Sequence, residues 1–313
     1  MFETSDQNCT FRIINGRLLR TGGLVASTLL KLDKTQTQID IINVYAENTN
    51  GICLNTKASV FNGFSSSFIG NASTSNTFTL PAKVNGGTYV NKNSTGNQSL
   101  GGNHIQNAVF RVDGGRNFGG ASIINKCEFY SETNAALNFS NSTVMNSYMK
   151  SVSGNATQNG INTTMLNCFA ISSTGVVATA SQPNVKIIKS TLITSSSSAC
   201  LQNIEFVEDC NITMNGIGVG ILNSNKVLKI VNNIIKINSG SGNGINLQST
   251  ANCQAIGNTI YLNNAASIGV KSNNADAYIA KNTVKGSTIL SDLGTGVNLF
   301  TATTDSQGNA AQL

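Results

Sequence analysis

Short apolar phrases, in which every second residue is polar, recur along the chain. In Asn258-Thr259-Ile260-Tyr261-Leu262, apolar side chains stand two and four positions after an Asn. Asn233 is followed in the same way by Ile235 and Ile237. Alternation with a period of two places successive side chains on opposite faces of a strand. The pattern therefore predicts short β-strands, each with one buried face.

An anchor residue that begins this pattern occurs eight times, at intervals of 20 to 25 residues. Two more apolar phrases lie in each interval, as Gly244-Ile245-Asn246-Leu247 and Ile256 do ahead of Asn258. Such a period is typical of a solenoid, whose coils bury their apolar sides against each other. Each interval therefore predicts one coil of short parallel strands. The anchors are Asn125, Asn146, Asn167, Ser190, Cys210, Asn233, Asn258 and Asn282.

The anchor residues are predicted to form a buried structural ladder. Coils of a solenoid stack at the strand spacing of ~4.8 Å, so equivalent side chains lie directly above one another. A buried Asn amide then donates to one neighbouring coil and accepts from the other, and Ser or Cys fits the same small space. The alternative is that Asn is simply common in exposed turns. Because six of the eight anchors are Asn and begin the same two-step pattern, the ladder is favoured.

The composition supports an all-β chain and narrows its chemistry. Charged residues make up 11% of the 313 residues, and 30 Gly stand beside two Pro. The net charge of +6 is spread without a basic run, which argues against nucleic acid as a partner. No segment reaches the length of a membrane span. The first residues lack the apolar core of a secretory signal, so none is expected.

The seven Cys show no metal-ligand spacing. No Cys-x-x-Cys occurs and His104 is the single His, so neither a zinc site nor another cofactor is predicted. In the absence of a secretory signal, we expect the thiols to stay reduced and to pack as small apolar side chains.

Residues 120–300 resemble the right-handed parallel β-helix of the pectate-lyase superfamily. The resemblance rests on the Asn column, on strands such as Gly244-Ile245-Asn246-Leu247, and on the irregular coil length. It implies an all-β, single-stranded parallel β-helix solenoid of eight or more coils of 20–25 residues, with a less regular N-terminal region. This fold serves lyases, hydrolases, adhesins and phage tail spikes alike, so it does not determine an activity.

The clarity of the repeat divides the chain into three regions. Phe11–Arg20 and Gln38–Asn48 predict isolated strands, while Leu24–Leu32 indicates a short helix. The first region is expected to cover the open end of the β-helix, and further irregular coils are the alternative. Residues 1–105 are predicted to form a capping or attachment region. Residues 106–300 are predicted to form the parallel β-helix, and residues 301–313 a C-terminal tail.

Carboxylates that could act in catalysis are few. Glycoside chemistry needs two carboxyl groups about 5–10 Å apart, and the sugar-cleaving β-helices that this chain resembles combine Asp clusters with His and a basic residue. Glu205, Glu208 and Asp209 form the densest acidic group. Their equivalents in adjacent coils add no further acid, so solvated surface charges are the alternative. Weaker candidates are Arg111 with Asp113 and Arg116, Glu128 with Glu132, and His104, which is expected at the surface.

The repeat also sorts the aromatic residues between core and surface. Inward positions are predicted for Phe129, Tyr148 and Phe169, because each follows an anchor in the apolar phase. Outward positions are predicted for Tyr130 and Tyr261, where a partner could contact them. The chain contains no Trp, so the broadest aromatic platform for a sugar is missing.

Two functions of different classes fit these features. The first is a non-enzymatic structural or adhesive protein of a bacteriophage virion, as tail spike, fibre or head decoration. The resemblance implies assembly in the host cytoplasm, a homotrimer, and contact with other virion proteins or host surface polysaccharide. The second is a polysaccharide depolymerase, a lyase or glycoside hydrolase, with its site around Glu205, Glu208 and Asp209.

A third function is that of an adhesin or ice-binding solenoid, exported by another route to the cell surface. Ice binding needs a regular column of Thr residues, which the repeats do not show. With few carboxylates and one His, the non-enzymatic function is favoured over the depolymerase.

Overall fold

The protein divides into two compact units, Met1–Gly154 (unit 1) and Asn155–Leu313 (unit 2). Within the described residues each unit consists of short strands joined by turns and bends, and neither contains a helix. The prediction of an all-β chain is confirmed. The computed structural model describes residues 2–3, 10–22, 27–32, 38–56, 59–72, 78–79, 83–95, 98–100, 104–114, 117–120, 123–224, 228–238, 240–248, 252–273, 277–287, 289–293, 298–299 and 304–305.

The strands of unit 1 form three faces, on which each strand pairs in parallel with its equivalent in the next coil. β2 (Thr10–Arg20) and β4 (Gln38–Asn48) turn at Asn15 and Asn43 and so belong to the second and third faces. The first face holds β1 (Phe2–Glu3), β3 (Thr28–Leu32), β5 (Ile52–Thr56), β8 (Phe78–Thr79), β11 (Gln98–Leu100), β14 (Asn117–Gly120) and β17 (Leu137–Ser140). The second adds β6 (Val60–Asn62), β9 (Lys83–Asn85), β12 (His104–Gln106), β15 (Ile123–Asn125) and β18 (Thr143–Met145). The third adds β7 (Ser67–Gly70), β10 (Thr88–Asn91), β13 (Val109–Val112), β16 (Glu128–Ser131) and β19 (Tyr148–Ser151).

Unit 2 repeats the three-faced construction, so the predicted parallel solenoid is confirmed in both units. Its first face holds β20 (Thr157–Asn159), β23 (Ala178–Ala180), β26 (Ala199–Gln202), β29 (Val219–Asn223), β32 (Ile245–Leu247), β35 (Ile268–Ser272) and β38 (Ile289–Leu293). The second holds β21 (Thr163–Leu166), β24 (Val185–Ile188), β27 (Phe206–Glu208), β30 (Leu228–Val231), β33 (Cys253–Ile256), β36 (Tyr278–Ala280) and β39 (Asn298–Leu299). The third holds β22 (Phe169–Ser172), β25 (Thr191–Thr194), β28 (Asn211–Met214), β31 (Ile234–Ile237), β34 (Thr259–Leu262), β37 (Thr283–Lys285) and β40 (Thr304–Asp305).

Alternate residues of each strand point into the unit and stack in columns of like residues. Because the pairing is parallel and in register, equivalent side chains of successive coils lie above one another. Burial of such apolar columns stabilises the fold by roughly 25 cal/mol per Å² removed from water. The column on the third face of unit 2 is at most 1% exposed and consists of Leu192, Ile212, Ile235, Ile260 and Val284.

Aromatic rings replace the aliphatic column on the third face of unit 1. Phe68, Tyr89, Phe110 and Phe129 are fully buried and stack in register. Successive ring centroids lie 5.2, 4.9 and 5.2 Å apart with interplanar angles of 16°, 12° and 8°. The Tyr89 hydroxyl donates a hydrogen bond to the Gly86 carbonyl oxygen at 3.1 Å, which satisfies its buried polar atom.

The described strands of region 1–105 are built like the later coils. β4 pairs with β6, β6 with β9, and β9 with β12, across the predicted limit of the region. The helix indicated at Leu24–Leu32 is wrong for its described part, because Thr28–Leu32 is a strand with Leu30 and Leu32 fully buried. A short apolar run does not distinguish a strand from a helix by periodicity alone.

A residue in the left-handed conformation, with a positive φ angle, marks the turn from the second to the third face in both units. In the described turns of unit 2, and at Cys127 and Ser147 of unit 1, the residue that follows it is buried in what we call the corner column. In unit 2 the left-handed residues are Asn167, Lys189, Asp209, Asn232, Gly257 and Lys281. The corner column that follows them is Cys168, Ser190, Cys210, Asn233, Asn258 and Asn282.

Hydrogen bonds connect the later residues of the corner column into a ladder. The backbone N–H of Asn233 donates to Asn258 Oδ1 at 2.9 Å, and that of Asn258 donates to Asn282 Oδ1 at 3.0 Å. The Asn258 side-chain amide also donates to Asn282 Oδ1 at 2.9 Å. Cys210 N–H donates to Asn233 Oδ1 at 2.9 Å. Each Asn therefore satisfies backbone groups that no strand pairing reaches.

The positions predicted for the ladder in the first three coils need correction. Asn146 and Asn167 are themselves the left-handed residues and are exposed. Asn125 ends β15, and its Oδ1 accepts from the Asn146 amide at 2.9 Å in a solvent-exposed contact. Asn is favoured both at left-handed turn positions and at buried ladder positions. The presence of Asn at a corner therefore does not show which of the two positions it occupies. The buried corner positions are Cys127, Ser147 and Cys168.

This shift moves two aromatic residues from core to surface. Tyr148 is half-buried and Phe169 is 36% exposed, although both were predicted inward. Phe129, which belongs to the aromatic stack, is fully buried. Tyr130 and Tyr261 point outward, half-buried and 36% exposed respectively.

Of the predicted tail 301–313, only Thr304–Asp305 lies within the described residues, as β40. Among the described residues, none belongs to a helix with the length and apolar content to cross a membrane.

Candidate functional site

The acidic group of unit 2 brackets β27: Glu205 precedes the strand, Glu208 ends it and Asp209 follows it. Glu205 Oε2 accepts a hydrogen bond from the backbone N–H of Asn184 at 2.7 Å. Glu208 is the last residue of β27, flanked in register by apolar residues of β24 and β30. Asp209 is the left-handed turn residue, with φ of 53°. Adjacent strands bring no second carboxylate to Glu208, so nothing in this geometry assigns the predicted acid and base roles.

His104, which was expected at the surface, is half-buried in a groove on the second face of unit 1. It is the first residue of β12 and pairs in register with Lys83 of β9. Its Nε2 lies 3.3 Å from Gln106 Oε1. The groove has a volume of about 310 Å³ and is lined by Val60, Asn62, Lys83, Val84, Asn85, His104 and Gln106.

Asp40, whose two carboxylate oxygens both accept hydrogen bonds, lies beside this groove. Asp40 of β4 is 5% exposed and accepts from the Asn62 amide at 2.8 Å and from the Gln38 amide at 2.7 Å. The Arg12 guanidinium lies 3.0 Å from its other oxygen. The hydrogen bond from Asn62, together with those from Gln38 and Arg12, lowers the pKa of Asp40 despite its burial. Asp40 is therefore an ionised structural group and a poor proton donor.

The third face of unit 1 carries a second cluster of functional groups. The Tyr45 hydroxyl donates to Glu47 Oε2 at 2.7 Å, and Lys92 Nζ lies 2.9 Å from Glu47 Oε1. The Arg17 guanidinium carbon lies 5.6 Å from the centre of the Tyr45 ring. The hydrogen bonds from Tyr45 and Lys92 lower the pKa of Glu47. The bond between Tyr45 and Glu47 also raises the pKa of Tyr45.

The same constellation recurs further along this face. The Tyr130 hydroxyl donates to Glu128 Oε2 at 2.7 Å. The Arg111 guanidinium carbon lies 4.7 Å from the Tyr130 ring centre, and the Tyr148 ring lies 5.5 Å from it on the other side. Burial and the bond to Glu128 raise the pKa of Tyr130 to about 12, so its hydroxyl stays protonated at neutral pH.

Strand register places the two constellations on one outward surface. Four strand-to-strand steps separate β4 from β16, a distance of about 19 Å at ~4.8 Å per step. Half-buried Ile69 and Val90 lie between them on β7 and β10. We call this surface the tyrosine face and define it by Arg17, Tyr45, Glu47, Arg111, Glu128, Tyr130 and Tyr148.

The sequence grouped some of these residues and missed others. Arg111 and Glu128 were candidates of separate groups, and their strands β13 and β16 pair directly. Arg116 lies outside the described residues, and Asp113 and Glu132 follow the ends of β13 and β16. Tyr45 and Glu47 were not singled out, although their alternation within Gln38–Asn48 marks both as outward residues.

The described cysteines are free and buried, as expected for small apolar side chains. Burial raises the pKa of Cys127 and of Cys210 to about 12 and that of Cys53 and Cys200 further. Thiols in this state are weak nucleophiles and weak metal ligands. Nowhere in the described parts of the chain do three His, Cys, Asp or Glu side chains cluster closely enough to hold a metal ion.

Comparisons with known proteins support the fold. No protein-family model matches the chain, and no curated protein sequence matches it. Among solved structures, the A-module of the mannuronan C-5 epimerase AlgE6 from Azotobacter vinelandii is similar, with a TM-score of 0.53 and 12% identity. The match covers 98% of this chain and 91% of that module. At this identity the similarity shows a shared parallel β-helix, and the tail-spike resemblance stays a prediction.

Proposed function

We propose that the protein binds a polysaccharide along the tyrosine face of unit 1. The observation that carries the proposal is the repeated constellation of a Tyr, a Glu and an Arg at both ends of one flat surface. Sugars present apolar C–H faces and hydroxyl groups together. Aromatic rings pack against the former, while carboxylates and guanidinium groups form charge-assisted hydrogen bonds with the latter.

The dimensions and ionisation of the face also favour binding. A span of about 19 Å, counted from the strand spacing, accommodates several sugar residues. Ile69 and Val90 give the middle of the span an apolar floor. Because the pKa of Tyr130 is raised to about 12, that hydroxyl is suited to hydrogen bonding and not to abstracting a proton at neutral pH.

The test is a binding measurement with a panel of neutral and acidic polysaccharides. Tyr130→Ala is expected to raise the Kd for the glycan about tenfold, because truncating a central aromatic contact costs about 1–2 kcal/mol. Tyr278→Ala, on the second face of unit 2, is the matched control and should leave the Kd unchanged. Equal binding by both variants, or no binding by the unaltered protein, would contradict the proposal.

A second candidate is chemical modification of a polysaccharide, the depolymerase alternative broadened to any carbohydrate-acting enzyme. Two observations favour it: the similar structure is named as an epimerase of mannuronan, and Lys83 and His104 lie side by side in the groove. Both side chains can transfer protons when a substrate is within reach. Incubation with mannuronan and other glycans should then yield reducing ends, unsaturated products or inverted sugars. His104→Gln should abolish that turnover while leaving binding to the tyrosine face intact.

A further inference from the structure

A strip of two lysines with a tyrosine between them runs across the third face of unit 2. Lys236 of β31 pairs in register with Tyr261 of β34, and Tyr261 with Lys285 of β37. Lys285 Nζ lies 5.3 Å from the centre of the Tyr261 ring, a cation–π contact. Lys236 is exposed, and Tyr261 is 36% exposed. The two ammonium groups therefore flank an accessible ring over about 10 Å, two strand spacings.

The described outward side chains on the strands that carry the strip, and on β25 and β28 beside them, include no carboxylate. Neither lysine forms a salt bridge with any described residue. Hydroxyl groups and apolar side chains occupy the remaining outward positions of the five strands β25, β28, β31, β34 and β37, together with one amide. These outward residues are Thr191, Ile193, Asn211, Thr213, Ile234, Thr259 and Thr283.

We infer that this strip binds an anionic polysaccharide, one whose sugar units carry carboxylate groups. The lysines supply solvated point charges that do not demand a fixed geometry of the anion. The Tyr261 ring offers a flat surface to the sugar between two acid groups, and the threonine hydroxyls of the adjacent column can bind its hydroxyl groups. The site lies in a different unit from the tyrosine face and goes beyond the proposed function by naming a second site and the charge of its ligand.

The balance of charge separates the two surfaces. The tyrosine face is of mixed charge, because Glu47 and Glu128 lie close to Lys92 and Arg111, whereas the strip presents positive charge alone among its described residues. Nucleic acid is the other polymeric anion, and it is disfavoured because strong binding needs many neutralised phosphates. Two lysines on a flat face offer too few such contacts.

The experiment compares two double variants of the full chain that lose the same charge. Lys236→Gln with Lys285→Gln removes the strip. Lys186→Gln with Lys229→Gln removes two exposed lysines that flank Phe206 in register on the second face of unit 2. This pair repeats the spacing of the strip, but Glu205 and Glu208 lie next to it in the chain, so it tests whether freedom from carboxylates matters. Binding of polymannuronate, a neutral dextran and duplex DNA is measured by calorimetry at low and at physiological salt. Circular dichroism confirms that both variants fold.

The strip variant is expected to bind polymannuronate about tenfold more weakly at low salt, with a smaller loss at physiological salt where surface charges are screened. The second-face variant should change the affinity less than about twofold, and dextran binding should not respond to either. Tyr130→Ala, measured in parallel, should not change the loss of polymannuronate affinity that removal of the two strip lysines causes. Failure of the tyrosine-face proposal can therefore be distinguished from failure of this inference. Equal losses in the two double variants, preference for DNA, or no binding of polymannuronate would overturn the inference.

Discussion

Neighbouring residues on one strand of this protein have opposite environments. Ile235 of β31 is fully buried in the apolar column of unit 2, whereas Ile234 is 41% exposed on the opposite side of the strand. The two share a residue type, a strand and a coil. They differ in the direction that the strand gives their side chains, so they form a matched pair for testing the inward register.

Ile235→Asp is expected to prevent folding of unit 2, because an unpaired carboxylate in the column has no water and no partner. Ile234→Asp places the same charge in solvent and should fold normally. Soluble yield and circular dichroism of the two variants provide the measurement. A folded Ile235→Asp protein with native signal would show that the column does not exclude water as the structure requires.

Asn has two separate roles at the corners, which limited what could be predicted at the residue scale. Asn233 and Asn258 supply buried amides to the ladder, and the sequence identified them correctly by position. Asn146 and Asn167 tolerate the left-handed backbone instead. Cys127, which has neither property, fills the buried corner of its coil. The pattern of residue types therefore predicts that a coil is present. Which corner residue is left-handed and which is buried depends on backbone angles that the residue type does not determine.

At the scale of elements, Asp40 ties three strands of the second face of unit 1 together. It lies on β4, accepts a hydrogen bond from Asn62 on β6, and pairs with Arg12 on β2. The bonds favour the ionised form, and so the pKa of Asp40 in the folded protein is below its value in the unfolded chain. Asp40 therefore stabilises the fold fully above about pH 4, the unfolded carboxyl pKa, and progressively less as the pH falls through its folded pKa.

Asp40→Asn is expected to lower the free energy of unfolding by about 1.5–3 kcal/mol at pH 7, the range for hydrogen bonds to a charged group. The difference from the unaltered protein should shrink as the pH falls below about 4 and through the folded pKa of Asp40, because protonation then removes the charge from the unaltered protein as well. Urea denaturation across this range measures it. Asp209→Asn, at an exposed turn, serves as the control with little effect at any pH. A deficit that does not change with pH would show that the charge of Asp40 does not stabilise these strands.

The tyrosine face illustrates why a site on a solenoid is harder to predict than its coils. Glu128 and Tyr130 are two residues apart, and their alternation marks both as outward. Arg111 reaches the same ring from the preceding coil, where the offset between coils decides which residues meet. In region 1–105 the equivalent residues Arg17, Tyr45, Ser67 and Thr88 follow one another at intervals of 28, 22 and 21 residues, but the Asn-anchored phrase that marks the later coils was not recognised there, so the membership of Tyr45 in this face was not predicted.

At the scale of the whole molecule, the resemblance to phage spikes predicts a homotrimer. Light scattering on the purified protein should then give a mass three times that of the chain, independent of concentration over the micromolar range. A monomer under the same conditions would contradict both the trimer and a virion role that depends on it. The parallel β-helix does not require the trimer, because its apolar columns are buried within each unit.

The aromatic stack of unit 1 also provides a spectroscopic signal of folding without an added label. The chain has no Trp and six Tyr, all within its described part, and Tyr89 is the one that is fully buried. A tyrosine ring held rigidly between Phe68 and Phe110 is in a fixed asymmetric environment. The contribution of Tyr89 to the near-ultraviolet circular dichroism therefore follows the packing of unit 1. Compared with the far-ultraviolet signal of all strands, it reveals whether the two units melt together or one after the other.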